Sequence, residues 1–363
     1  MICKDFAMRI IAIHLLNDYS GSPKVLMQLL KHWSEQQLEI QLYIGNPNKG
    51  FLSEIPKINY HYYGYSFARN PLVRFFKLFG SQFWLMLLLI LRLKKGDIVY
   101  VNTVLPFGAA IAGWIRGCKV IYHLHETSVK PRLLKVFLFG VLKLTAIEIV
   151  YVSHFLAQQE PIAKKAHIIH NVLENDFMVQ SQKNKNCHKA NPVVLMICSL
   201  KPYKGIEVFW ALAERNPKIN FKLVLNATKG EVEAYYKGQK QPKNLILYTT
   251  QENTHPFYQE ASIILNLSDT QLWVETFGLT ILEGMCYGLP AIVPPVGGVV
   301  ELVENGRNGY LIDSKNIDLI SEKLNELISD KALYKKMSDN ARAKSGHFSE
   351  ANFKRKAMLL VSS

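Results

Sequence analysis

Short apolar runs alternate along this chain with longer segments of helical spacing, and that alternation limits its fold more than any other feature. Met8 to Leu16, Glu39 to Ile44, Ile98 to Asn102, Val120 to His125, Ile147 to Val152 and His167 to His170 read as strands. A loop containing Gly21 and a helix from about Pro23 to Gln36 come after the first of them. A second series begins with Val193 to Cys198 and continues through Phe221 to Leu225, Leu245 to Tyr248, Ile263 to Leu267 and Ala291 to Val293. Runs this continuous suit strands buried on both faces, as in parallel sheets covered by helices.

At 363 residues the chain is too long for one core, so two α/β domains are expected. The stretch Gln180 to Asn191, QSQKNKNCHKAN, has almost no core-forming residues and reads as a linker. The expected division is 1–175, a linker over 176–191, and 192–363, with the last helix a candidate to pack back on the first domain. Two Rossmann-like domains of this kind are expected to face each other across a cleft at the carboxyl ends of their strands, where ligands of such sheets bind.

Composition removes several classes. The five cysteines form no C-x-x-C pair and no secretory signal is visible, so a reducing cytoplasm is expected, with no structural zinc or disulfide framework. Net charge is +14, with 20 basic against 11 acidic residues up to position 180 and 23 against 18 beyond it. No zinc-finger spacing, RNA-binding aromatic motif or arginine-rich tail accompanies that charge, so anionic lipid and phosphorylated substrates are favoured over nucleic acid. There is no D-x-D or H-E-x-x-H, so no metal is expected, and Leu15 to Gly21 lacks the G-x-G-x-x-G of a nicotinamide-binding turn.

The densest chemistry lies between Ile264 and Leu311, where Glu275 and Glu283 are separated by seven residues. The apolar spacing of Leu279, Leu282, Met285 and Cys286 predicts a helix starting near Phe277, which places Glu275 at its N-terminus beside unpaired N–H groups. On one helix the two acids would lie about 12 Å apart, too far for a glycosidase pair and suited to two ends of an elongated ligand. In isolation the same pair reads as a capping acid and an ordinary helix glutamate.

The surroundings decide between these readings. The segment from Ser268 to Ile312 resembles the donor-binding segment of retaining glycosyltransferases of the GT-B fold, family 4 (glycosyl transferases group 1). It carries the E-x7-E pattern, a turn at Cys286, Gly288 and Pro290, a G-G-x-x-E turn at Gly297, Gly298 and Glu301, and an N-G-x-x-G hairpin at Asn305, Gly306 and Gly309. The resemblance implies that Glu275 binds the donor sugar, that Thr276, Phe277, Gly278 and Leu279 offer backbone donors, and that Glu283 holds the ribose. Near residue 200 the family's G-R-L-x-x-x-K-G is matched at Lys204 and Gly205, with Ser199 at the arginine position and Lys201 a partial substitute that lacks the guanidinium fork. Gly21 resembles the family's glycine loop. His125 falls where members place a histidine near the transferred sugar, although alternation puts His123 on the same face and one of the two is a candidate core residue.

The resemblance further implies transfer from a nucleoside diphosphate sugar to a glycan or lipid-linked glycan acceptor, in surface-glycan synthesis. The donor is a co-substrate and no cofactor is expected. A non-catalytic partner subunit and a nucleotide-sugar epimerase remain alternatives. Two more segments bear on location at the inner face of the cytoplasmic membrane. The apolar run within Phe75 to Leu93 is too short to span a bilayer and is read first as a buried helix, with an interfacial role for part of it as the alternative. Pro131 to Leu144 mixes Arg132, Lys135 and Lys143 with large apolar residues, and fits a membrane-surface helix and a solvated helix equally.

Overall fold

The computed structural model describes residues 9–127, 129–183 and 191–362. The chain forms two compact units, one running to His170 and including the segment from Ala351, the other Asn171–Glu350.

The first unit is built on seven parallel strands: β1 (Arg9–His14), β2 (Glu39–Ile44), β3 (Asn59–Tyr62), β4 (Ile98–Asn102), β5 (Lys119–Leu124), β6 (Glu148–Tyr151) and β7 (Lys165–Ile168). Their order is β3-β2-β1-β4-β5-β6-β7. The apolar runs of β1, β4 and β5 are buried on both faces, which makes them legible from sequence. Two edge strands are less so. β3, with the sequence NYHY, is half-exposed and has no apolar run, and β7 begins two residues before the expected position.

Helices α1 (Gly21–Glu35), α2 (Pro71–Arg92), α3 (Phe107–Ile115) and α4 (Arg132–Thr145) belong to this unit. Asn70 starts α2 by accepting from the backbone N–H groups of Leu72 and Val73, with Pro71 in the first turn where its missing N–H costs nothing. α2 and α3 touch at backbone distance: a Cβ on Gly108 would lie 2.0 Å from the Gln82 carbonyl oxygen, and Gln82 Oε1 accepts from Gly108 N–H at 3.2 Å. The expectation of a buried helix is corrected here. Only Leu78, Gln82, Leu85 and Leu89 of α2 are buried, because one stripe suffices to cover the layer beneath. The expectation that the run is too short to span a bilayer is corrected as well: the helix extends over 22 residues, and by length and composition alone α2 is long and apolar enough to cross a membrane. The helix Glu350–Val361 completes the unit, with Trp33 Nε1 donating to the Ala357 carbonyl at 3.2 Å and Lys119 Nζ to that of Leu360 at 2.9 Å.

The second unit has six parallel strands: β8 (Val193–Ser199), β9 (Asn220–Asn226), β10 (Leu245–Tyr248), β11 (Ile263–Leu265), β12 (Ala291–Val293) and β13 (Gly309–Leu311). Their order is β10-β9-β8-β11-β12-β13. Both sheets are therefore wound as Rossmann-like sheets, reversing direction at their first strand. The expected linker is helical in its first part: Asn175–Gln182 is a helix whose Phe177 packs on the rings of His255, Tyr258 and Tyr287. One aromatic anchor is enough to order a polar segment. Positions 184–190 of the expected linker lie outside the described residues.

Candidate functional site

In doubly wound sheets ligands bind beyond the carboxyl ends of the strands where the order reverses. Those points lie between β1 and β4 in the first unit and between β8 and β11 in the second. Several of the residues singled out in the sequence lie at these two places, whereas Ser199 and Lys201 line a separate cavity.

At the β8–β11 switch, a single 3-10 turn (Pro202–Lys204) follows β8 and hands over to the helix Ile206–Arg215 through Gly205. Gly205 has φ +77°, and a Cβ there would meet the Leu267 carbonyl oxygen at 2.0 Å, so only glycine fits. This turn presents Lys204, whose Nζ donates to Glu275 Oε2 at 2.7 Å and sits 5.1 Å from the ring centroid of Trp273. Tyr203 stacks on Trp273 at 5.3 Å, and the Tyr203 carbonyl accepts from Asp269 N–H at 2.8 Å. Two loops are thus joined around one ion pair.

The acid end of the pair is held by backbone. Gly298 N–H donates to the Glu275 carbonyl at 2.7 Å, and Cβ atoms on Gly297 and Gly298 would lie 2.5 and 1.9 Å from the carbonyl oxygens of Glu275 and Thr276. The G-G turn is therefore a surface on which Glu275 and Thr276 rest. The helix itself is Leu279–Cys286, with Gly278 as its N-cap at φ +100°. This corrects the expected start near Phe277 and removes Glu275 from the helix, so the 12 Å axial separation does not apply. Phe277 is buried against Phe348 instead of beginning the helical turn.

Glu283 lies on the helix, is 5% exposed, and accepts from Tyr258 Oη at 2.5 Å. The turn at Gly288 is locked by Arg342, which donates to the carbonyls of Cys286 and Tyr287. Ser199 and Lys201 face elsewhere. Together with Asn226 and Glu231 they line an open cavity of about 440 Å³. Burial pushes the Cys198 thiol up to about 12, so a thiolate nucleophile is not available there at neutral pH.

The β1–β4 switch of the first unit has a different chemistry. Asn102, at the end of β4, is fully buried and donates through Nδ2 to the Ser22 carbonyl at 3.1 Å, tying down the first turn of α1, which begins at Gly21 where the sequence suggested a loop. Its Oδ1 is 2.9 Å from His125 Nε2, and its Nδ2 is 3.1 Å from His14 Nδ1. With Oδ1 as acceptor, His125 carries its proton on Nε2 and leaves Nδ1 as an acceptor. His123 is the core member of the pair: it is completely buried, its Nδ1 is 2.9 Å from Tyr100 Oη, and its ring lies 4.3 Å from that of His125. Burial lowers His14 to about 4 and His123 to about 3, and holds His125 well below its ordinary value, so all three are neutral. Burial raises Glu126, the next residue, to about 7.

The structure thus joins Lys204 to Glu275 and links the first turn of α1, which begins at Gly21, to His125 through Asn102. Sequence reading misses Asn102, His14, Trp273 and Tyr258. The one visible signal is a polar residue closing an apolar strand, at His14 and at Asn102.

Comparison with known proteins identifies the family of the chain. Residues 179–344 match the glycosyl transferases group 1 family, and residues 19–175 match glycosyltransferase family 4. The chain belongs to the group 1 glycosyltransferases and has the GT-B fold. A Haemophilus influenzae protein described as an uncharacterized glycosyltransferase is 32% identical over 168 residues, 44% of this chain and less than half, 46%, of that protein. The N-acetyl-alpha-D-glucosaminyl L-malate synthase of Bacillus anthracis is 23% identical over 266 residues, covering 68% of this chain and 69% of that one. Among solved structures, Anabaena HepE in complex with UDP and glucose superposes with a TM-score of 0.78 at 20% identity, over 98% of this chain and 100% of that one.

Proposed function

We propose that this protein is a retaining glycosyltransferase that moves a sugar from a nucleoside diphosphate donor to an acceptor hydroxyl. The observation that carries this reading is the Lys204–Glu275 pair, held at the β8–β11 switch by glycine contacts that leave no room for a side chain. An ammonium with three donors spends one on Glu275 and keeps others for a diphosphate. As the bond from the anomeric carbon to the phosphate oxygen breaks, negative charge grows on that oxygen, and Lys204 stabilises it. The acceptor hydroxyl attacks from the same face, forming the new glycosidic bond, and its proton passes to the departing phosphate oxygen. Glu275 then takes a hydroxyl of the donor sugar and Glu283 the ribose, with Tyr258 fixing the Glu283 carboxylate. His125 serves a sugar hydroxyl as an uncharged ring.

The positive charge comes from protein, so turnover is expected without a divalent cation. Relatives named as glycosyltransferases support the reaction class. A surface glycan, free or lipid-linked, is the proposed acceptor class, in keeping with the basic first half of the chain. The test is incubation with a panel of nucleoside diphosphate sugars, with and without acceptor and with a chelator, and then NMR of the product's anomeric proton. An inverted product, or complete loss on chelation with rescue by magnesium, sinks the mechanism. Binding of a donor with no transfer to any acceptor favours the non-catalytic partner reading, which the serine at position 199 keeps in view.

A further inference from the structure

α2 shows two opposed apolar stripes, and among the described residues only one of them is covered. Leu78, Gln82, Leu85 and Leu89 are buried. At 100° per residue Leu72, Phe76, Phe83, Leu87 and Leu91 share about 100° of arc on the other side, along about 28 Å of helix. Leu72 and Phe76 are each 70% exposed and Leu91 85%. The patch continues onto α4, because Phe79 of α2 touches Phe137 of α4 at 5.4 Å and both touch Phe107 of α3. Beside Phe137 stand Leu133, 83% exposed, and Val136. This is a continuous apolar surface made by two helices, well beyond scattered exposed residues.

Charge says what covers it. Between Ile55 and Ile147 the only acidic residues are Asp97 and Glu126. Asp97 is 4% exposed and paired with Arg9, and Glu126 is half-buried with its carboxylate on His125 N–H. The exposed charges of the stretch are all positive, among them Lys77, Arg92, Lys94, Lys95, Lys130 and Arg132. An apolar face whose exposed flanking charges in this stretch are basic, with Glu160 largely covered and paired to Lys135 of α4, and which carries Trp84 at 57% exposure, matches the boundary between acyl chains and anionic headgroups. A protein partner would have to be acidic around an apolar centre, whereas an anionic bilayer has that profile everywhere.

We propose that the outward faces of α2 and α4 dock this protein on an anionic lipid surface, with α2 lying flat. The backbone contact of α2 with Gly108 and its buried inner stripe keep it on the unit and out of the bilayer core. This inference does not rest on the proposed reaction, and its readout is independent of turnover.

The experiment is flotation of the full chain with phosphatidylcholine vesicles containing from none to about 30% phosphatidylglycerol, at low and high salt. Binding at least about tenfold tighter on the anionic vesicles, and weaker in salt, is expected. Phe76→Asp with Leu133→Asp should reduce it by about tenfold or more with an unchanged melting temperature, since both side chains are already in water. Leu91→Asp, on the same stripe, supplies a second variant if the first is unstable. Absence of binding at every phosphatidylglycerol content, or equal binding by both variants and wild type, overturns the proposal. So does a dimer in solution that these substitutions dissolve without any vesicle binding, which would assign the face to a second copy.

Discussion

The two units share one winding and place opposite electrostatics at the same point. Where the first sheet reverses, the buried side chains of His14 and Asn102 at strand ends meet the half-buried ring of His125 in a neutral cluster. Where the second reverses, the strand ends carry little and the loops beyond them bring a lysine and a glutamate into an ion pair. The topology fixes where a ligand is met, and the residues just past the strands fix how. Neutral rings suit sugar hydroxyls, whereas a preset ion pair suits a group that leaves as an anion.

If that contrast is right, removing the second unit's charge should cost most. Lys204→Ala is expected to lower kcat by about 100- to 1,000-fold in a transfer assay, the range for losing a donor aimed at developing charge. A loss confined to KM would place Lys204 in ground-state binding instead. Next comes Glu283→Ala, which should weaken nucleoside diphosphate binding by about 1.5 to 3 kcal/mol, readable by calorimetry as roughly a 10- to 150-fold rise in Kd. Unchanged affinity would take Glu283 out of the ribose site.

The first unit is probed by acid. Its imidazoles stay neutral in the folded chain between about 4 and their ordinary 6.5, while the unfolded chain protonates them, so stability falls as pH drops through that window. Glu126 acts in the opposite sense: it is held protonated up to about 7 against an ordinary 4.5, so its contribution is lost as pH rises. Three rings outweigh one carboxyl. The melting temperature should fall by about 5 to 10 °C between pH 7 and pH 5, and His123→Phe should flatten that net slope by about half, since Glu126 still opposes the two remaining rings. A flat profile in the wild-type protein would mean the cluster is solvated. The smallest effect is expected for Lys201→Ala, whose side chain faces the open cavity and not Glu275: about a two- to fivefold fall in kcat, partly recovered by Ser199→Arg, which restores a guanidinium. Wild-type kinetics for Lys201→Ala would leave Lys204 to serve the diphosphate alone.

The legible parts of this molecule are the local ones. β1, β4, β5 and β8 announce themselves because burial on both faces demands unbroken apolar runs. Lys204, Glu275 and Glu283 lie within short segments whose glycines fix the backbone, so motif spacing is enough to find them. The helix start is ambiguous from sequence, since an apolar Phe277 looks like a first helical residue until Phe348 is seen covering it. Asn102 is not legible, because its meaning depends on residues 80 and 88 positions away that only the strand order brings together. The outer stripe of α2 misleads for a related reason: hydrophobicity reports the tendency to avoid water, and the sequence does not say which neighbour satisfies it.

The return of Glu350–Val361 to the first unit has a consequence for biosynthesis. Domains of a growing chain generally fold in order of emergence. Here the unit that begins first is completed last, because Trp33 and Lys119 wait for the carbonyls of Ala357 and Leu360, which are translated only after the whole of Asn171–Glu350. Throughout that interval the nascent first unit leaves Trp33 without the Ala357 carbonyl and the seat of Phe353 and Leu360 uncovered, so its last apolar contacts are made only when the final helix arrives.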